Sequence, residues 1–263
     1  MIKYKRVPLE TMVNVRDLGG YAAMDGRVTR YGKFLRADCP IGISENDIRF
    51  LKEYGISLSI DLRGSDETLK MPSGLNGTQG HTYRHCPAMI DRPTPHIIRS
   101  ADKTAKNGSK ASLTAEDNFD LGDSYIDIAE SAKIWIKQVF ELCAGWEGGV
   151  IYHCYLGKDR AGIISAMLLG VCGVTETDII MDYCASMVCL RPKYERMNPV
   201  FLPTIRERPD YKWGFFGSVP ESMEALLRHI TEKYGSVSSY LTDCGVTDKA
   251  INRLKDKLLE ETK

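Results

Sequence analysis

The sequence predicts an α/β (α+β) domain, because segments with strand-like apolar runs alternate with segments of helical periodicity. Ile56–Leu62 is rich enough in Ile and Leu to be a buried strand. The stretch from Ser124 to Cys143 keeps 3.6-residue apolar spacing and predicts one long helix. The short apolar strand Val150–Tyr152 precedes a loop and then the apolar helix Ala161–Val171, which must be largely buried.

The other predicted elements rest on turn and capping residues. In chain order they are a hairpin at Asp25-Gly26, a strand at Phe34-Leu35, a helix from Ser44 to Gly55, a strand at His81–Ala88, helices that begin near Thr175 and Pro220, and two short helices separated by Gly245.

One domain is expected over residues 1–263, because 29.5 kDa fits one sizeable domain and 43% apolar content can fill its core. Residues 91–120 are polar, rich in Pro, Lys, Ser and Asn, and predict a long loop. Residues 190–218 combine four prolines with basic and aromatic residues. Both segments are candidate lids, and an irregular packed connection is the alternative for the second.

The charge and cysteine patterns exclude several classes of protein. Lys plus Arg and Asp plus Glu both number 35, so no global charge favours nucleic acid. The N-terminal MIKYKRVPLE lacks the apolar core of a secretory signal, and no long apolar run follows. The eight cysteines show neither CxxC pairs nor zinc spacing. We expect a cytoplasmic protein without integral membrane association, disulfide framework, metal or other cofactor.

A short loop, His153-Cys-Tyr-Leu-Gly-Lys-Asp-Arg160, separates the strand at 150–152 from the helix at 161–171. Five residues lie between Cys154 and Arg160. Such a loop can curl so that successive backbone N–H groups point inward, and the helix N-terminus adds positive potential. The planar guanidinium of Arg160 can hold two oxygens of one phosphate. The pattern therefore predicts a phosphate-binding concavity with a cysteine at its base.

The same positive field favours the thiolate form of Cys154, which makes it a nucleophile toward phosphorus. Displacement of an alcohol or phenol would leave a phosphocysteine that water later hydrolyses. The leaving oxygen needs a proton, and Asp159 is the nearest candidate donor. Asp61 and Asp91, at or just after predicted strand ends, are the alternatives.

HCYLGKDRAG resembles the signature HCxxGKDR[ST]G of a bacterial tyrosine and phosphoinositide phosphatase family. The similarity extends over nearly the whole chain in the expected order. The further matching segments are Asn14–Gly20 with NFRDLGG, Leu35–Asp38 with LxRS, Ile60–Arg63 with IDLR, and Tyr234–Leu241 with YGSVxxYL.

The resemblance implies a cysteine-phosphatase-like fold with a central mixed sheet flanked by helices, and a cofactor-free protein-tyrosine phosphatase. It implies Cys154 as nucleophile, Asp159 as acid and Arg160 as phosphate ligand. The residues expected to bind phosphate are Tyr155, Leu156, Gly157, Lys158 and Arg160, and the secondary site candidates are Asn14, Arg16 and Asp61. Lys158 suggests tolerance of highly charged phospholipid headgroups. Expected partners are phosphorylated proteins or phosphoinositides.

Two departures from the family pattern affect turnover rather than fold. Ala161 stands where the family has Thr or Ser, so a hydroxyl that helps sulfur leave phosphorus is missing. Tyr155 and Leu156 are bulkier than the small residues common at these positions, which predicts a narrower pocket.

Two other functions fit a cysteine in an anion-binding loop. A rhodanese-like sulfurtransferase has such a loop, although Lys158-Asp159-Arg160 argues against it, and thiocyanate production from cyanide and thiosulfate would identify it. A non-catalytic phosphate-binding module is supported by Ala161 alone. Dual specificity and phosphoinositide activity stay open, because the sequence does not fix the depth of the pocket.

Overall fold

The fold is known from a computed structural model that describes residues 2–88, 121–207 and 217–262, with side chains of 194–207 left out of the description. Its strands are β1 (Arg16–Asp17), β2 (Val28–Thr29), β3 (Phe34–Ala37), β4 (Ile56–Asp61), β5 (Thr82–His85), β6 (Gly149–His153) and β7 (Leu259–Glu260). The main sheet has the order β1-β3-β6-β4-β5, and β2 pairs with β7 in a small second sheet.

The main sheet is mixed, as the family resemblance implies. β1 runs antiparallel to β3, whereas β3, β6, β4 and β5 are mutually parallel neighbours. β6 is therefore a central strand, and all five of its residues are buried. The carboxyl ends of β3, β6 and β4 meet at one edge, which is where open parallel sheets place their ligands.

Helices cover both faces of the sheet. They are α1 (Glu45–Glu53), α2 (Ser65–Lys70), α3 (Leu121–Ser131), α4 (Lys133–Gly145), α5 (Arg160–Val171), α6 (Glu176–Glu207), α7 (Pro220–Tyr234), α8 (Val237–Asp243) and α9 (Asp248–Leu258). α5 packs between the strands β3 and β6 and the helices α6, α8 and α9. Its apolar side chains are buried all round, and each Ile or Leu contributes roughly 2 kcal/mol by leaving water.

Alternating side chains of the central strands divide the core into two clusters. Val150 and Tyr152 of β6 join the large cluster on the α5 face of the sheet. Ile151 points the other way and joins a smaller cluster with Leu35 and Leu51. Side chains of β6 alternate between the two faces of the sheet, so a shift of one residue would expose apolar side chains. This alternation fixes the register of β6 with β3 and β4, and with it the position at which the following loop begins.

Most predicted elements are confirmed, including the cap and the end of the first helix. The Ser44 side chain accepts a hydrogen bond from Asp47 N–H, and Gly55 has the positive φ of 92° that stops α1. The single long helix predicted from Ser124 is wrong, because the backbone leaves helical geometry at Ala132 and divides it into α3 and α4. Apolar periodicity cannot detect the break at Ala132. The hydrogen bond from Ile136 N–H to the Ala132 carbonyl spans it, so the apolar residues of α3 and α4 keep the same helical spacing.

The two candidate lids have different outcomes. Residues 91–120 lie outside the described residues. Residues 190–207 of the second segment are helical and continue α6. The alternative prediction of an irregular connection is therefore wrong for these residues. A lid role for the segment stays a prediction. No helix among the described residues is long and apolar enough to cross a membrane.

Candidate phosphate-binding loop and active site

The loop that carries Cys154 follows β6 at the carboxyl edge of the sheet and ends at the first residue of α5. In register, His153 of β6 lies between Ala37 of β3 and Asp61 of β4. Cys154 is buried, with 2% exposure. The strand, loop and helix predicted from the sequence are thus present without a gap.

Gly157 allows the loop to curl against β3. Its φ of +69° lies in the left-handed region that side chains rarely adopt. A Cβ at this position would lie 2.4 Å from the Ala37 carbonyl carbon and 2.6 Å from Asp38 N. Any other residue would have to push the loop away from the sheet.

Side chains behind the loop hold its carbonyl groups outward. Asn14 Nδ2 donates to the Leu156 carbonyl at 2.9 Å. Arg36 Nη2 donates to the carbonyls of Gly157 at 2.8 Å and Lys158 at 3.0 Å. Peptide N–H groups point opposite to their carbonyls, so this arrangement turns successive amides toward the concave side, where an anion can bind.

A buried ionic cluster fixes Arg36 and Arg16, which are paired in register across β1 and β3. Asp182 of α6 accepts from Arg36 Nη1 at 2.5 Å and lies 3.4 Å from Arg16 Nε. Burial alone would raise the pKa of Asp182, but the charges of Arg16 and Arg36 hold it well below its usual range. Arg16 also donates to Asn14 Oδ1. Asn14 therefore contacts the loop directly, and Arg16 is linked to the loop through Asn14.

Arg160 is held by Glu67 of α2. Nη1 and Nη2 of Arg160 donate to the two carboxylate oxygens at 2.6 and 3.0 Å. Glu67 Oε2 also accepts from Gly64 N–H at the start of α2, at 2.9 Å. Burial alone would raise the pKa of Glu67, but the hydrogen bonds from Arg160 keep it below its usual value. The carboxylate is therefore ionised and orients the guanidinium.

Asp159 lies just before α5, with its side chain 32% exposed. Its Oδ1 accepts from the hydroxyl of Tyr125 at 2.5 Å and lies 3.3 Å from Lys158 Nζ. Lys158 is fully buried, and Nζ also donates to the Gly217 carbonyl at 3.0 Å. Arg160 thus lies within the electrostatic reach of both Cys154 and Asp159, whereas the Lys158 ammonium contacts Asp159 and Gly217.

Tyr155 and Leu156 differ in exposure. Leu156 is buried, whereas Tyr155 is half-buried at the edge of the loop. Lys193 of α6 lies over the Tyr155 ring, 5.2 Å from its centroid, and donates to the Tyr155 carbonyl at 3.4 Å. Of the two bulky residues that predict a narrow pocket, Tyr155 is therefore the more exposed, and its contact with a substrate stays a prediction.

Of the two alternative proton donors, Asp61 and Asp91, the structure describes only Asp61. Asp61 is buried, and Arg63 donates to it through Nε at 2.9 Å and Nη2 at 2.7 Å. These bonds outweigh burial and lower the pKa of Asp61, so this carboxyl carries no proton to donate. Asp91 lies outside the described residues. His153, directly before Cys154, is fully buried, and burial lowers its pKa to about 4.

Sequence reasoning did not identify Glu67, Tyr125 or Asp182 as site residues. Glu67 lies in a short polar helix that gives no signal of its own. One signal in the sequence indicates a buried ion pair. Asp182 lies within the apolar pattern of α6, and Arg36 lies within an apolar strand. Among the residues described, no cluster of three or more His, Cys, Asp or Glu could hold a metal ion.

Comparison with known proteins places the chain among phosphatases. A family model described as "Tyrosine phosphatase family" matches residues 7–260. A tyrosine-protein phosphatase of Nostoc commune is 28% identical over 228 residues, which cover 82% of this chain and 70% of that protein. The triple specificity protein phosphatase PtpB of Mycobacterium tuberculosis is 29% identical over 282 residues, which cover 94% and 96%.

Among solved structures, TpbA of P. aeruginosa aligns with a TM-score of 0.34 and 13% identity, over 64% of this chain and 78% of that chain. The match of the family model over nearly the entire length confirms the expected class of enzyme, a protein-tyrosine phosphatase, and with it the phosphatase-like mixed sheet flanked by helices. The chain belongs to the tyrosine phosphatase family.

Proposed function

We propose that the enzyme hydrolyses phosphotyrosine through a phosphocysteine intermediate, with Cys154 as nucleophile, Arg160 as phosphate ligand and Asp159 as proton donor. One observation carries the proposal. Loop carbonyls are tied outward to Asn14 and Arg36, which turns the loop amides toward the space in front of Cys154. The proposed mechanism requires that a phosphoryl group bound by these amides lie in line with the cysteine sulfur.

In the first step, the thiolate of Cys154 attacks phosphorus and the bond from phosphorus to the tyrosine oxygen breaks. Asp159 gives its proton to that oxygen, so a neutral phenol leaves. The loop amides and Arg160 stabilise the charge on the equatorial oxygens, because they are already oriented before the reaction begins.

In the second step, water attacks phosphorus and the sulfur–phosphorus bond breaks. Asp159, now ionised, takes a proton from the water, and the thiolate of Cys154 is restored together with inorganic phosphate. The products contain every atom of the ester and the water, and no cofactor is consumed.

The contact with Glu67 leaves one edge of Arg160 for phosphate. Glu67 takes one hydrogen from each of Nη1 and Nη2, and the remaining hydrogen of Nη1 lies toward the Leu62 carbonyl at 3.5 Å. Nε–H and the second hydrogen of Nη2 point in parallel along the other edge. Such an edge matches two oxygens of a phosphoryl group.

Phosphotyrosine is the proposed substrate because the curated relatives from Nostoc commune and Cupriavidus necator bear tyrosine phosphatase names. The name of the mycobacterial relative, triple specificity protein phosphatase, supports a wider range of phosphoesters. A cytoplasmic location is part of the proposal, and the eight free cysteines support a reducing compartment. Cell fractionation tests the location.

A substrate panel tests the proposed activity. We expect phosphate release from an aryl phosphate and phosphotyrosine peptides, and Cys154→Ser should reduce it to less than about one hundredth at equal folded protein, because a nucleophile is lost. Phosphoserine peptides and phosphoinositides in the same panel measure the breadth of specificity. Activity of Cys154→Ser near the parent rate, or thiocyanate production instead of phosphate release, would overturn the proposal.

A further inference from the structure

A chain of two buried hydroxyl groups leads from the protein interior to Asp159. The Tyr125 hydroxyl of α3 lies 2.5 Å from Asp159 Oδ1, and the Tyr183 hydroxyl of α6 lies 2.8 Å from that of Tyr125. Both tyrosines are 1% exposed, and their rings pack edge to face. Two helices that are distant in sequence therefore meet at one carboxylate of the loop.

The direction of these hydrogen bonds follows from the protons available. An ionised carboxylate has none to give, so Tyr125 donates to Asp159 and its oxygen is left to accept from Tyr183. Burial and the charge of Asp159 raise the pKa of Tyr125 well above its ordinary value, so the phenol keeps its proton. The donor is thus permanent at any working pH.

The two carboxylate oxygens of Asp159 differ as a result. Oδ1 faces Tyr125 and Lys158, whereas Oδ2 receives no hydrogen bond within the part of the chain that the structure describes. The Asp159 side chain is about one third exposed, in contrast to the buried tyrosines. A proton on Asp159 is therefore best placed on Oδ2, because a proton on Oδ1 would compete with two donors.

We propose that Tyr125, supported by Tyr183, is the positioning residue of the proton donor: it holds Oδ1 of Asp159 so that Oδ2 carries the proton to the leaving oxygen. In the second step Oδ2 receives a proton from the attacking water, and Tyr125 keeps its own proton throughout. The inference rests on the proposed role of Asp159 as acid.

Tyr125→Phe tests the inference because it removes the hydroxyl and keeps the ring. We compare kcat/KM on phenyl phosphate, whose phenol needs a proton to leave, with kcat/KM on 4-nitrophenyl phosphate, whose phenol leaves easily. A hydrogen bond to a charged group is lost, so Tyr125→Phe should lower the first value about tenfold more than the second. Tyr183→Phe leaves the Tyr125 donor in place and should change the ratio less than about threefold.

Tyr152→Phe is the matched control. It also removes a buried phenol hydroxyl, but that hydroxyl contacts Ser165 instead of the loop. We expect it to change both kcat/KM values by the same factor. Equal losses on the two substrates for Tyr125→Phe, as for this control, would overturn the inference, because they would mean that Tyr125 acts through packing.

Asp159→Asn separates this inference from the proposed function. Leaving-group selectivity in Asp159→Asn but not in Tyr125→Phe would overturn the positioning role alone, and the acid role would stand. Equal losses on both substrates for Asp159→Asn would remove the acid role and the inference together. If Asp159 is the acid and Tyr125 positions it, Tyr125→Phe should add no further leaving-group selectivity in an Asp159→Asn background. The reason is that the amide then at position 159 has no acidic proton for Tyr125 to position. The same selective loss in that background would contradict the inference.

Discussion

The guanidinium of Arg160 and the carboxylate of Glu67 face each other as a two-bond pair, with nitrogen–oxygen distances of 2.6 and 3.0 Å. Glu67 is in turn fixed by Gly64 N–H at the start of α2. The arginine that ends the loop is therefore oriented by a helix outside the loop. This pair leaves the edge formed by Nε and Nη2 of Arg160 for the proposed contact with phosphate.

Glu67→Gln should impair catalysis without unfolding the protein. The amide has one acceptor oxygen and presents an N–H₂ group to the guanidinium, so one of the two bonds is replaced by a repulsive contact. We expect kcat/KM on 4-nitrophenyl phosphate to fall about tenfold to a hundredfold, which corresponds to the loss of a hydrogen bond to a charged group. Steady-state kinetics and thermal unfolding of the same preparation measure both effects.

Asp66→Asn is the control for Glu67→Gln, since Asp66 is an exposed carboxylate in the first turn of the same helix. It removes the same charge from α2 and should leave kcat/KM within about twofold, because exposed charges contribute little. Equal losses in the two variants would show that the charge of α2 matters and that the pairing with Arg160 does not.

Arg160→Lys should be nearly as damaging as removal of the nucleophile. An ammonium is a point charge that cannot contact two phosphate oxygens in one plane, nor bind Glu67 through two parallel bonds. We expect a loss in kcat of about 10² to 10³, comparable to removal of an oxyanion donor. Kinetics close to those of the parent would mean that Arg160 is only the first residue of α5.

The sequence predicts the loop and its flanking elements well, because their information is local. Cys154, Gly157 and Arg160 are recognisable from spacing, and the apolar character of β6 and α5 follows from the same stretch of chain. The partners of the loop are not local. Glu67 lies 93 positions from Arg160, and Tyr125 lies 34 from Asp159.

The contacts of Asn14 and Arg16 show what one segment of the sequence cannot reveal. They belong to a segment that matches the family, which predicts a site role; in the structure Asn14 contacts the loop and Arg16 contacts Asn14. Arg16 contacts Asp182 of α6, 166 residues further along the chain, and Arg16 in turn donates to Asn14. A pattern in one segment cannot reveal that its partner lies in another, because burial of paired charges is decided by the tertiary fold.

His153 predicts a pH dependence of stability. Its pKa is about 4 in the folded protein, because burial disfavours the charged ring, and 6.5 in the unfolded chain. Between these values the unfolded chain binds a proton that the folded protein does not, so the free energy of unfolding falls as the pH is lowered. The slope approaches about 1.4 kcal/mol per pH unit, and the contribution levels off below the folded pKa.

His153→Gln isolates this effect, because Gln has no titratable ring. We expect the free energy of unfolding of the variant, measured by urea denaturation from pH 7 to pH 4.5, to fall less steeply than that of the parent. Parallel pH profiles for the two proteins would show that His153 takes up its proton in the folded state as easily as in the unfolded one.

Ala161 predicts slow breakdown of the intermediate. Ala161 is fully buried at the start of α5. The family signature has Thr or Ser at this position, whose hydroxyl would assist sulfur in leaving phosphorus. Rapid mixing with 4-nitrophenyl phosphate should give a burst of about one equivalent of phenol before slower turnover. Ala161→Thr should raise the steady rate and shrink the burst.

Ala161→Val controls for size, since Val has the shape of Thr without the hydroxyl. It should keep the burst and gain no steady-state rate. A parent enzyme without a burst, together with no gain in Ala161→Thr, would mean that another donor or a water molecule already assists the sulfur.

Direct detection of phosphocysteine tests the central claim. The enzyme is mixed with 4-nitrophenyl phosphate, quenched in acid during turnover, digested and analysed by mass spectrometry. We predict one added phosphoryl group on the peptide that contains Cys154, absent without substrate and absent in Cys154→Ser. A phosphoryl group on any other residue, or sustained turnover with Cys154 unmodified at every quench time, would contradict the account.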